Sequence, residues 1–380
     1  EDISTMFDEL LLKDNRVFDE SLYKIVCKKK INTNLTDFEV QELLMNLSKI
    51  NIDINFYDKK ILRKVSKLDF EKIIFIVGPT SVGKTKLGID ISKEFSGEII
   101  SCDSMQIYKE FNIGTAKVTS EESCGINHYM IDIIDGDENF NVSDYKNMAE
   151  KYIDYISNNN KIPIFVGGTG LYVNSLVYDF KFTEATQSED LRNKIIKFYE
   201  ENGLDILYDL LLYLDYSSKE KIHKNNVKRV IRAIEVCLCT KKEFSKQCND
   251  YCNNAKYDYL IVGLTLDRKK LYDRINTRVD MMINNGLVEE VTRLYYKYGE
   301  FSQPFTAIGY KEFIPYFNNE ITIEECIKNI KQNSRKYAKR QFTWFNKNKN
   351  IEWIDVEIGY DNVLIKSIQL IKEFLNKGDI

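Results

Sequence analysis

The chain has 380 residues, enough for two or three domains with hydrophobic cores. Hydrophobic residues make up 43% and charged residues 29%, as in ordinary globular enzymes, and the net charge of −4 does not exclude a polyanionic partner. No apolar run reaches the length of a transmembrane helix, and residues 1–20 do not resemble a signal peptide. The eight cysteines form no CxxC pair, which argues against a zinc site and fits a reducing compartment. We therefore expect a cytoplasmic protein that does not enter a membrane.

Residues 1–70 are predicted to form a small helical N-terminal extension. Residues 36–39 fit a capping box, and apolar residues at helical spacing follow from Val40 to Ile50. Residues 22–50 resemble the C-terminal tail of MutL-type mismatch-repair proteins, but the Cys-Pro-His-Gly segment of that family is absent, so no activity is implied. No methionine lies between Met45 and residue 73, which favours an in-frame fusion or a misjoined reading frame.

From residue 71 onward, short β-branched segments alternate with amphipathic ones. This pattern predicts an α/β fold in which a parallel sheet carries helices on both faces. The predicted strands are Ile73–Val77, Ile99–Cys102, Ile162–Val166, Tyr259–Leu264 and Ile351–Ile354. We assign residues 71–182 to a P-loop core and residues 256–380 to the return of the core followed by basic helices.

Strand patterns disappear between residues 183 and 255, which predicts a helical insertion. Leucines at helical spacing continue to Leu214, and Gly203 lies where one helix would end. Farther along, Thr322 to Glu325 forms a second capping box, and the helix that it opens is basic. Between Cys326 and Asn350 there are eight Lys or Arg residues and no acid.

Residues 78–85, "GPTSVGKT", follow a predicted strand and precede a predicted helix, as a P-loop does. Glycine permits the turn whose N–H groups converge on an anion, Lys84 adds a positive charge, and the Thr85 hydroxyl can bind Mg²⁺. This motif predicts a site for a diphosphate or triphosphate. The predicted phosphate-binding residues are Gly78, Pro79, Thr80, Ser81, Val82, Gly83, Lys84 and Thr85.

Two other strand ends carry polar residues. Asp103 follows the second strand, where a carboxylate could hold Mg²⁺ through water, take a proton from an acceptor, or simply cap the next helix. Ser104 and Gln106 could hydrogen-bond a polar acceptor. Gly167-Gly168-Thr169 follows the third strand and, by itself, is more typical of a tight turn than of a site.

Two basic segments, 219–236 and 334–345, could be solvated helix faces or surfaces that contact nucleic acid. Three functions therefore compete. One is a P-loop kinase that acts on a small hydroxylated acceptor, and another is a switch that binds ATP or another nucleotide. The third is a transferase whose P-loop holds a diphosphate leaving group. No guanine-reading Asn-Lys-x-Asp motif is present. The basic helices favour the transferase with a polynucleotide acceptor.

The ordered motifs resemble the tRNA dimethylallyltransferases, also called isopentenyl-diphosphate:tRNA transferases. The resemblance spans about residues 71–355 and is carried by "GPTSVGKT" (78–85), "DSMQIYK" (103–109), "IGTAK" (113–117), "NHYMIDI" (127–133), "VGGTGLYV" (166–173), "IHKNNVKRVIRAIEV" (222–236), "AIGYKE" (307–312) and "YAKRQFTWF" (337–345). Asn127 and Lys224 replace prolines that are usual in the family, and no cysteine follows Cys326 to form the zinc finger of eukaryotic relatives.

The resemblance implies a transfer of a dimethylallyl group from dimethylallyl diphosphate to the exocyclic amine of the adenosine 3′ of the anticodon, with release of diphosphate. It implies Mg²⁺ as cofactor and the tRNA anticodon stem-loop as partner, and we expect a monomer; the runner-up is a P-loop kinase. Asp103 would be the general base, and Lys84, Thr169 and Arg192 would also act in catalysis. The predicted tRNA-binding residues are Asp103, Ser104, Met105, Gln106, Thr169, Arg192, Asn225, Lys228, Arg229, Thr306, Gly309, Tyr310, Lys311, Arg335, Lys339 and Arg340.

Overall fold

The structure, a computed structural model, describes residues 71–178, 189–247 and 256–376. The predicted N-terminal extension, residues 1–70, lies outside the described residues. Six parallel strands form one sheet in the order β3-β2-β4-β1-β5-β6. The strands are β1 Lys72–Val77, β2 Gly97–Cys102, β3 His128–Tyr129, β4 Ile162–Gly167, β5 Asp258–Thr265 and β6 Ile351–Asp355. The five predicted strands are confirmed, and β3 is an additional short one that has no extended apolar run to reveal it.

Helices connect the strands and also form the insertion. They are α1 Lys84–Glu94, α2 Val142–Asn158, α3 Gly170–Val177, α4 Glu189–Leu214, α5 Val227–Thr240, α6 Phe244–Gln247, α7 Arg268–Asn284, α8 Leu287–Tyr298, α9 Phe313–Phe317, α10 Ile323–Phe345 and α11 Tyr360–Asn376. Short 3₁₀ helices lie at Tyr216–Glu220, Gln303–Thr306 and Val356–Ile358.

The sheet is covered on both faces, as predicted. Successive side chains of β1 point to opposite sides, so Phe75 and Val77 join one buried cluster whereas Ile74 and Ile76 join another. The first cluster packs against α2, α3 and α8, and the second packs against α1 and α11. Because both faces of these strands are buried, their sequences read as continuous apolar runs.

The helical insertion has a small core of its own. Leu207 and Leu211 of α4 pack against Val230 and Ile234 of α5. Gly203 interrupts α4 with φ 83° and ψ 174°, a left-handed backbone conformation that other residues rarely adopt. The predicted helix break at this glycine is confirmed.

Helix α10 begins with the predicted capping box, in which the Thr322 hydroxyl accepts from the Glu325 backbone N–H. Its buried face includes Cys326, Ile330, Ala338, Gln341 and Phe345. On its other face Lys336, Lys339 and Arg340 are exposed. The apolar face therefore docks the helix on the core and leaves a basic surface outside.

Strand β4 lies between β1 and β2, so the two strands are not neighbours. In the sheet Ile164 pairs with Ile74 of β1 on one side and with Ile99 of β2 on the other. All six strands run in the same direction, which brings the ends of β1, β2 and β4 to one edge of the sheet. The Gly167-Gly168 turn is thereby placed between the P-loop and Asp103.

Among the described residues, no helix combines the length and apolarity needed to cross a bilayer.

A buried carboxylate holds the short strand β3 at the sheet edge. Glu98 of β2 accepts from Asn127 Nδ2 at 2.8 Å, from the Tyr129 hydroxyl at 2.7 Å and from Lys161 Nζ at 2.6 Å. Burial by itself would raise the pKa of Glu98, but the three donors outweigh it and hold that pKa below its usual value. The charged form of Glu98 is therefore the one that the fold favours.

This lowered pKa predicts a stability change in acid. The contribution of Glu98 should be fully present above about pH 5 and be lost as the pH falls through the lowered pKa, because protonation is then easier in the unfolded chain. We expect Glu98→Gln to cost about 1–3 kcal/mol of unfolding free energy at pH 7 and progressively less in acid. Urea unfolding from pH 3 to pH 8 measures this, and a constant difference between the two proteins would contradict it.

Candidate active site

The P-loop is a strand-to-helix turn with an uncapped helix start. Ser81 and Gly83 have φ of 64° and 107°, and no side chain caps the N-terminus of α1 at Gly83. The free N–H groups and the positive end of the helix dipole therefore remain available for an anion. Lys84 Nζ donates to the Pro79 carbonyl at 2.7 Å, which holds its ammonium group against the turn.

One side chain connects the P-loop to the end of β4. Gln341 of α10 accepts from the Thr80 backbone N–H at 2.9 Å and donates to the Gly168 carbonyl at 3.0 Å. A Cβ on Gly168 would lie 2.0 Å from Gln341 Nε2, so no larger residue fits here without moving that amide. The glycine that is typical of a tight turn thus also makes room for α10.

Asp103 is held in a compact turn at the end of β2. Its Oδ1 accepts from the Met105 backbone N–H at 2.9 Å, and the Ser104 backbone N–H donates to Thr169 Oγ1 at 3.2 Å. The Thr169 backbone N–H donates to the Cys102 carbonyl at 3.0 Å. Thr169, a predicted catalytic residue, therefore supports the Asp103 turn from the neighbouring strand end.

These turns surround one cleft, whose empty space of about 710 Å³ includes a part that is open to solvent. Its polar lining includes Thr80, Lys84, Thr85 and Asp103, and its apolar lining includes Ile99, Val118, Ile131 and Val166. Such a cleft can accept a ligand with an anionic end and a small apolar end.

Arg278 of α7 also lines the cleft, and we did not predict it. Burial, reinforced by the positive charge of Arg278, lowers the pKa of Lys84 to about 7, while Asp103 acts in the opposite direction. Burial likewise lowers the pKa of Arg278. Two cations that share one desolvated cleft are poorly compensated by a single carboxylate, so an anionic ligand would stabilise both. Arg278 lies in a helix without a recognisable motif, so only its spatial position reveals it.

Two buried polar atoms near the P-loop have no hydrogen-bond partner among the described residues. They are Ser81 Oγ and His128 Nε2, and His128 lines the cleft. His128 Nδ1 lies 2.9 Å from the Ile126 carbonyl, so we assign the proton to Nδ1, which makes Nε2 an acceptor. Burial lowers the pKa of His128 and favours this neutral form. In the sequence this histidine belongs to no metal motif, and nothing there marks it as part of a cleft.

Gln106 lies in the cleft wall, but its amide is engaged within the protein. Its Oε1 accepts from Ser101 Oγ at 2.9 Å, and its Nε2 donates to the carbonyls of Thr115 and Ala116 at 3.2 and 3.3 Å. The structure therefore shows Gln106 as a brace between the Asp103 turn and the segment "IGTAK". Its contact with tRNA stays a prediction, and within the described part of the chain Oε1 is left with one free acceptor position.

Arg192 is separate from the cleft residues. It lies on α4, where its Nη2 donates to Glu235 Oε2 at 2.8 Å, and Arg232 Nη1 donates to the same oxygen at 2.9 Å. The structure does not bring Arg192 into the lining of the cleft, so its predicted role in catalysis stays a prediction. Asn225, Lys228 and Arg229 of the same insertion are exposed, as a contact surface requires.

The segment 306–311 divides into exposed and buried residues. Thr306 and Lys311 are exposed, whereas Gly309 is buried and Tyr310 is 0% exposed. The predicted contact between Tyr310 and tRNA stays a prediction, and the Tyr310 side chain is not presented at the surface, because its ring packs in the core and its hydroxyl donates to Glu290 Oε1 at 2.7 Å. A motif residue can thus be structural even when its neighbours face outward.

The basic residues of α10 also differ in their surroundings. Lys339 and Arg340 are exposed, and the Arg340 guanidinium lies over the Tyr337 ring at 5.6 Å. Arg335 instead donates to Asn276 Oδ1 of α7, which ties it to the core. Lys339 and Arg340 are therefore the stronger candidates for contact with a polyanion.

The cleft suits Mg²⁺ only in combination with a phosphate ligand. Among the residues that the structure describes, no cluster of three or more His, Cys, Asp or Glu side chains could hold a metal ion. Thr85 and Asp103 nevertheless line the same cleft and offer one hydroxyl and one carboxylate. Mg²⁺ is commonly held by such a small donor set together with water and substrate phosphates, so the residues present fit this ion.

Comparisons with known proteins agree on one family. The family described as IPP transferase matches residues 106–348. The tRNA dimethylallyltransferase of Bacillus cytotoxicus is 47% identical over 289 residues, which cover 76% of this chain and 92% of that protein.

Solved structures give the same result. The full-length tRNA isopentenylpyrophosphate transferase of Bacillus halodurans has 40% identity and a TM-score of 0.62, covering 81% of this chain and 97% of that one. A eukaryotic dimethylallyltransferase acting on tRNA has 31% identity and a TM-score of 0.67, covering 75% of this chain and 74% of that one.

The lowered pKa of Lys84 predicts that anion binding is linked to proton uptake. At pH 8 the free lysine is mostly neutral, and a bound diphosphate favours its charged form, so affinity for inorganic diphosphate should fall as the pH rises above about 7. Calorimetry at pH 8 in buffers of different ionisation enthalpy measures the protons taken up. Lys84→Met should lose the component that is due to Lys84, and equal uptake by both proteins would contradict the assignment.

Proposed function

The chain belongs to the IPP transferase family, and we propose on this premise that it transfers a dimethylallyl group from dimethylallyl diphosphate to tRNA. The acceptor is the exocyclic amine of the adenosine 3′ of the anticodon, and diphosphate is released. The observation that carries the proposal is the shared cleft, because it combines a phosphate-binding turn, the Asp103 carboxylate and a small apolar wall. Since the acceptor is tRNA, we place this activity in the cytoplasm.

Asp103 acts as the general base. The lone pair of an adenine exocyclic amine is delocalised into the ring, and a carboxylate with a reference pKa of about 3.9 does not deprotonate it beforehand. As the C–N bond forms and the allylic C–O bond breaks, the amine nitrogen becomes acidic, and Asp103 accepts its proton. The bond from the Met105 N–H to Asp103 Oδ1 restricts the orientation of this carboxyl and supports the assignment.

The cleft stabilises the leaving group. An allylic carbon supports partial positive charge, so the main demand is to hold the negative charge that grows on the diphosphate. The P-loop amides and Lys84 serve this purpose, and Arg278 is a third donor on the cleft wall. Each preorganised donor of this kind contributes about 3 kcal/mol to transition-state stabilisation.

Mg²⁺ would be held by the Thr85 hydroxyl, with Asp103 near enough to share the cleft. When bound, it supplies further positive charge to the diphosphate oxygens. The apolar residues Ile99, Val118, Ile131 and Val166 suit the five-carbon group.

The tRNA is held by basic surfaces outside the cleft. We assign contacts with the tRNA phosphate backbone to Lys339 and Arg340 of α10, Lys228 and Arg229 of α5, and Lys311, because all five are exposed cations.

The target base must leave the loop stack to reach Asp103. This costs a few kcal/mol, and less in an anticodon loop than in a duplex.

A small-molecule kinase is the second candidate, since a P-loop and a carboxylate base also suit phosphoryl transfer. One assay separates the two functions: unmodified tRNA is incubated with labelled dimethylallyl diphosphate and, separately, with labelled ATP. Label on tRNA from the diphosphate supports the transferase. Label from ATP on a small molecule, without prenylation of tRNA, would establish the kinase instead.

Replacement of the base should separate chemistry from binding. We expect Asp103→Asn and Asp103→Ala to lower the single-turnover transfer rate by about 10²–10⁴-fold, because only the proton acceptor is removed. Affinities for tRNA and dimethylallyl diphosphate, measured by filter binding and calorimetry, should stay within about threefold, since the phosphate contacts remain. A variant that transfers at the normal rate would refute the role of Asp103.

The basic face of α10 should determine part of the salt dependence. In Lys339→Gln/Arg340→Gln we expect weaker tRNA binding and a smaller slope of log K against log salt, by about 0.7–0.9 for each phosphate that is no longer neutralised. Lys366→Gln is the matched control, since Lys366 is exposed on α11. A slope equal to that of the control would show that this face does not contact tRNA.

A further inference from the structure

Glu290 of α8 is a buried carboxylate, 8% exposed, that hydrogen-bonds Tyr310 and the backbone of the segment just before the cleft-lining residues Thr115 and Ala116. Its Oε2 accepts from the backbone N–H groups of Asn112 and Ile113 at 3.1 and 2.8 Å. Its Oε1 accepts from the Gly114 N–H at 3.2 Å and from the Tyr310 hydroxyl at 2.7 Å. A carboxylate has about four acceptor positions, so this one is fully used.

The segment that Glu290 holds is a strained turn. Ala116, within this segment, has a positive φ of 49°, a conformation that residues other than glycine seldom adopt. Such strain persists only where the surroundings enforce it, and it is common at functional sites. Thr115, Ala116 and Val118, at the end of this turn, form part of the cleft lining.

The turn is connected to the proposed base by an unbroken series of hydrogen bonds. The carbonyls of Thr115 and Ala116 accept from Gln106 Nε2, and Gln106 Oε1 accepts from Ser101 Oγ at 2.9 Å. Ser101 Oγ in turn accepts from the Asp103 backbone N–H at 3.3 Å. A shift of the turn would therefore move Gln106 and release the support beneath Asp103.

The same carboxylate reaches the proposed tRNA surface through Tyr310. The ring of Tyr310 occupies the space beside Gly114, where an added Cβ would lie 2.5 Å from the ring carbon Cζ. Lys311 and Thr306, on either side of Tyr310 in the sequence, are exposed. Glu290 thus connects the wall of the cleft with the 306–311 segment, which presents Lys311 and Thr306 to solvent.

We propose that Glu290 is a positioning residue for prenyl transfer: it fixes the 112–117 turn, and through Gln106 it holds Asp103 in line with the acceptor amine. The inference rests on the proposed function. Glu290 does not line the cleft and is largely buried from solvent, so it does not contact either substrate. Its replacement should therefore affect the chemical step and leave substrate binding unchanged.

The test compares Glu290→Gln with Glu289→Gln, the neighbouring acidic residue, which is exposed on the same helix turn. A glutamine at position 290 keeps one acceptor oxygen and replaces the other with an amide that cannot accept the backbone N–H groups. We expect the single-turnover rate in Glu290→Gln to fall by about 100-fold, with tRNA affinity within about threefold of the native protein. Hydrogen exchange at the amides of residues 112–114 should become faster. Glu289→Gln should change neither quantity.

A second comparison asks whether the effect passes through Gln106. Gln106→Ala should also slow transfer, and the double variant Glu290→Gln/Gln106→Ala should be no slower than the slower single variant. Multiplied effects would overturn the proposal, as would a normal transfer rate in Glu290→Gln.

Tyr310→Phe covers the case in which Glu290→Gln does not fold. It removes one of the four hydrogen bonds and keeps the three backbone ones, so a smaller decrease in rate is expected, and an unchanged rate would count against the proposal. Failure of the proposed function is distinguishable, because then the native protein and Glu289→Gln would not prenylate tRNA at all, while the hydrogen-exchange difference at 112–114 would remain.

Discussion

The two hydrogen bonds of Gln341 hold the cleft together. The P-loop begins after β1 and Gly168 follows β4, and the parallel pairing of these two strands ends at Val77 and Gly167, so both turns lie beyond the last backbone pair. Gln341 supplies one acceptor and one donor between them, at 2.9 and 3.0 Å. Because this side chain extends from the buried face of α10, the same pair of bonds sets the position of the basic helix over the cleft. The P-loop and the proposed tRNA-binding face of α10 are thus held by the same side chain.

The charges in the cleft are arranged for a ligand rather than for the stability of the free protein. Lys84 and Arg278 are desolvated near each other, and each has its pKa lowered. Burying like charges costs free energy that an ordinary core would avoid. A bound diphosphate would remove that cost in the course of binding, which is a physical reason for a strong preference of this cleft for anions.

Motif residues fall into two groups that sequence alone does not separate. Within 306–311, Lys311 faces solvent whereas Tyr310 is buried against Gly114. Within 103–106, Asp103 lines the cleft with an oriented carboxyl, whereas the Gln106 amide is consumed by Ser101 and the 115–116 carbonyls. Both groups occur in the same short patterns, since a catalytic side chain and the side chain that holds it are equally restricted in chemical type. Burial and hydrogen-bond partners distinguish them.

The sequence by itself determined the parallel α/β core, its five longer strands and the P-loop. It also determined the place of Asp103 at the end of a strand and the capped start of the basic helix. These depend on local periodicity and on short-range turn chemistry, which any stretch of chain displays in its own residues. Only the tertiary structure decided that β4 lies between β1 and β2, that the two-residue β3 joins the sheet, that Arg278, His128 and Gln341 line the cleft, and that Arg192 pairs with Glu235. Those facts depend on contacts between residues up to 261 positions apart, such as Thr80 with Gln341, and no local pattern encodes which distant partner a side chain will meet.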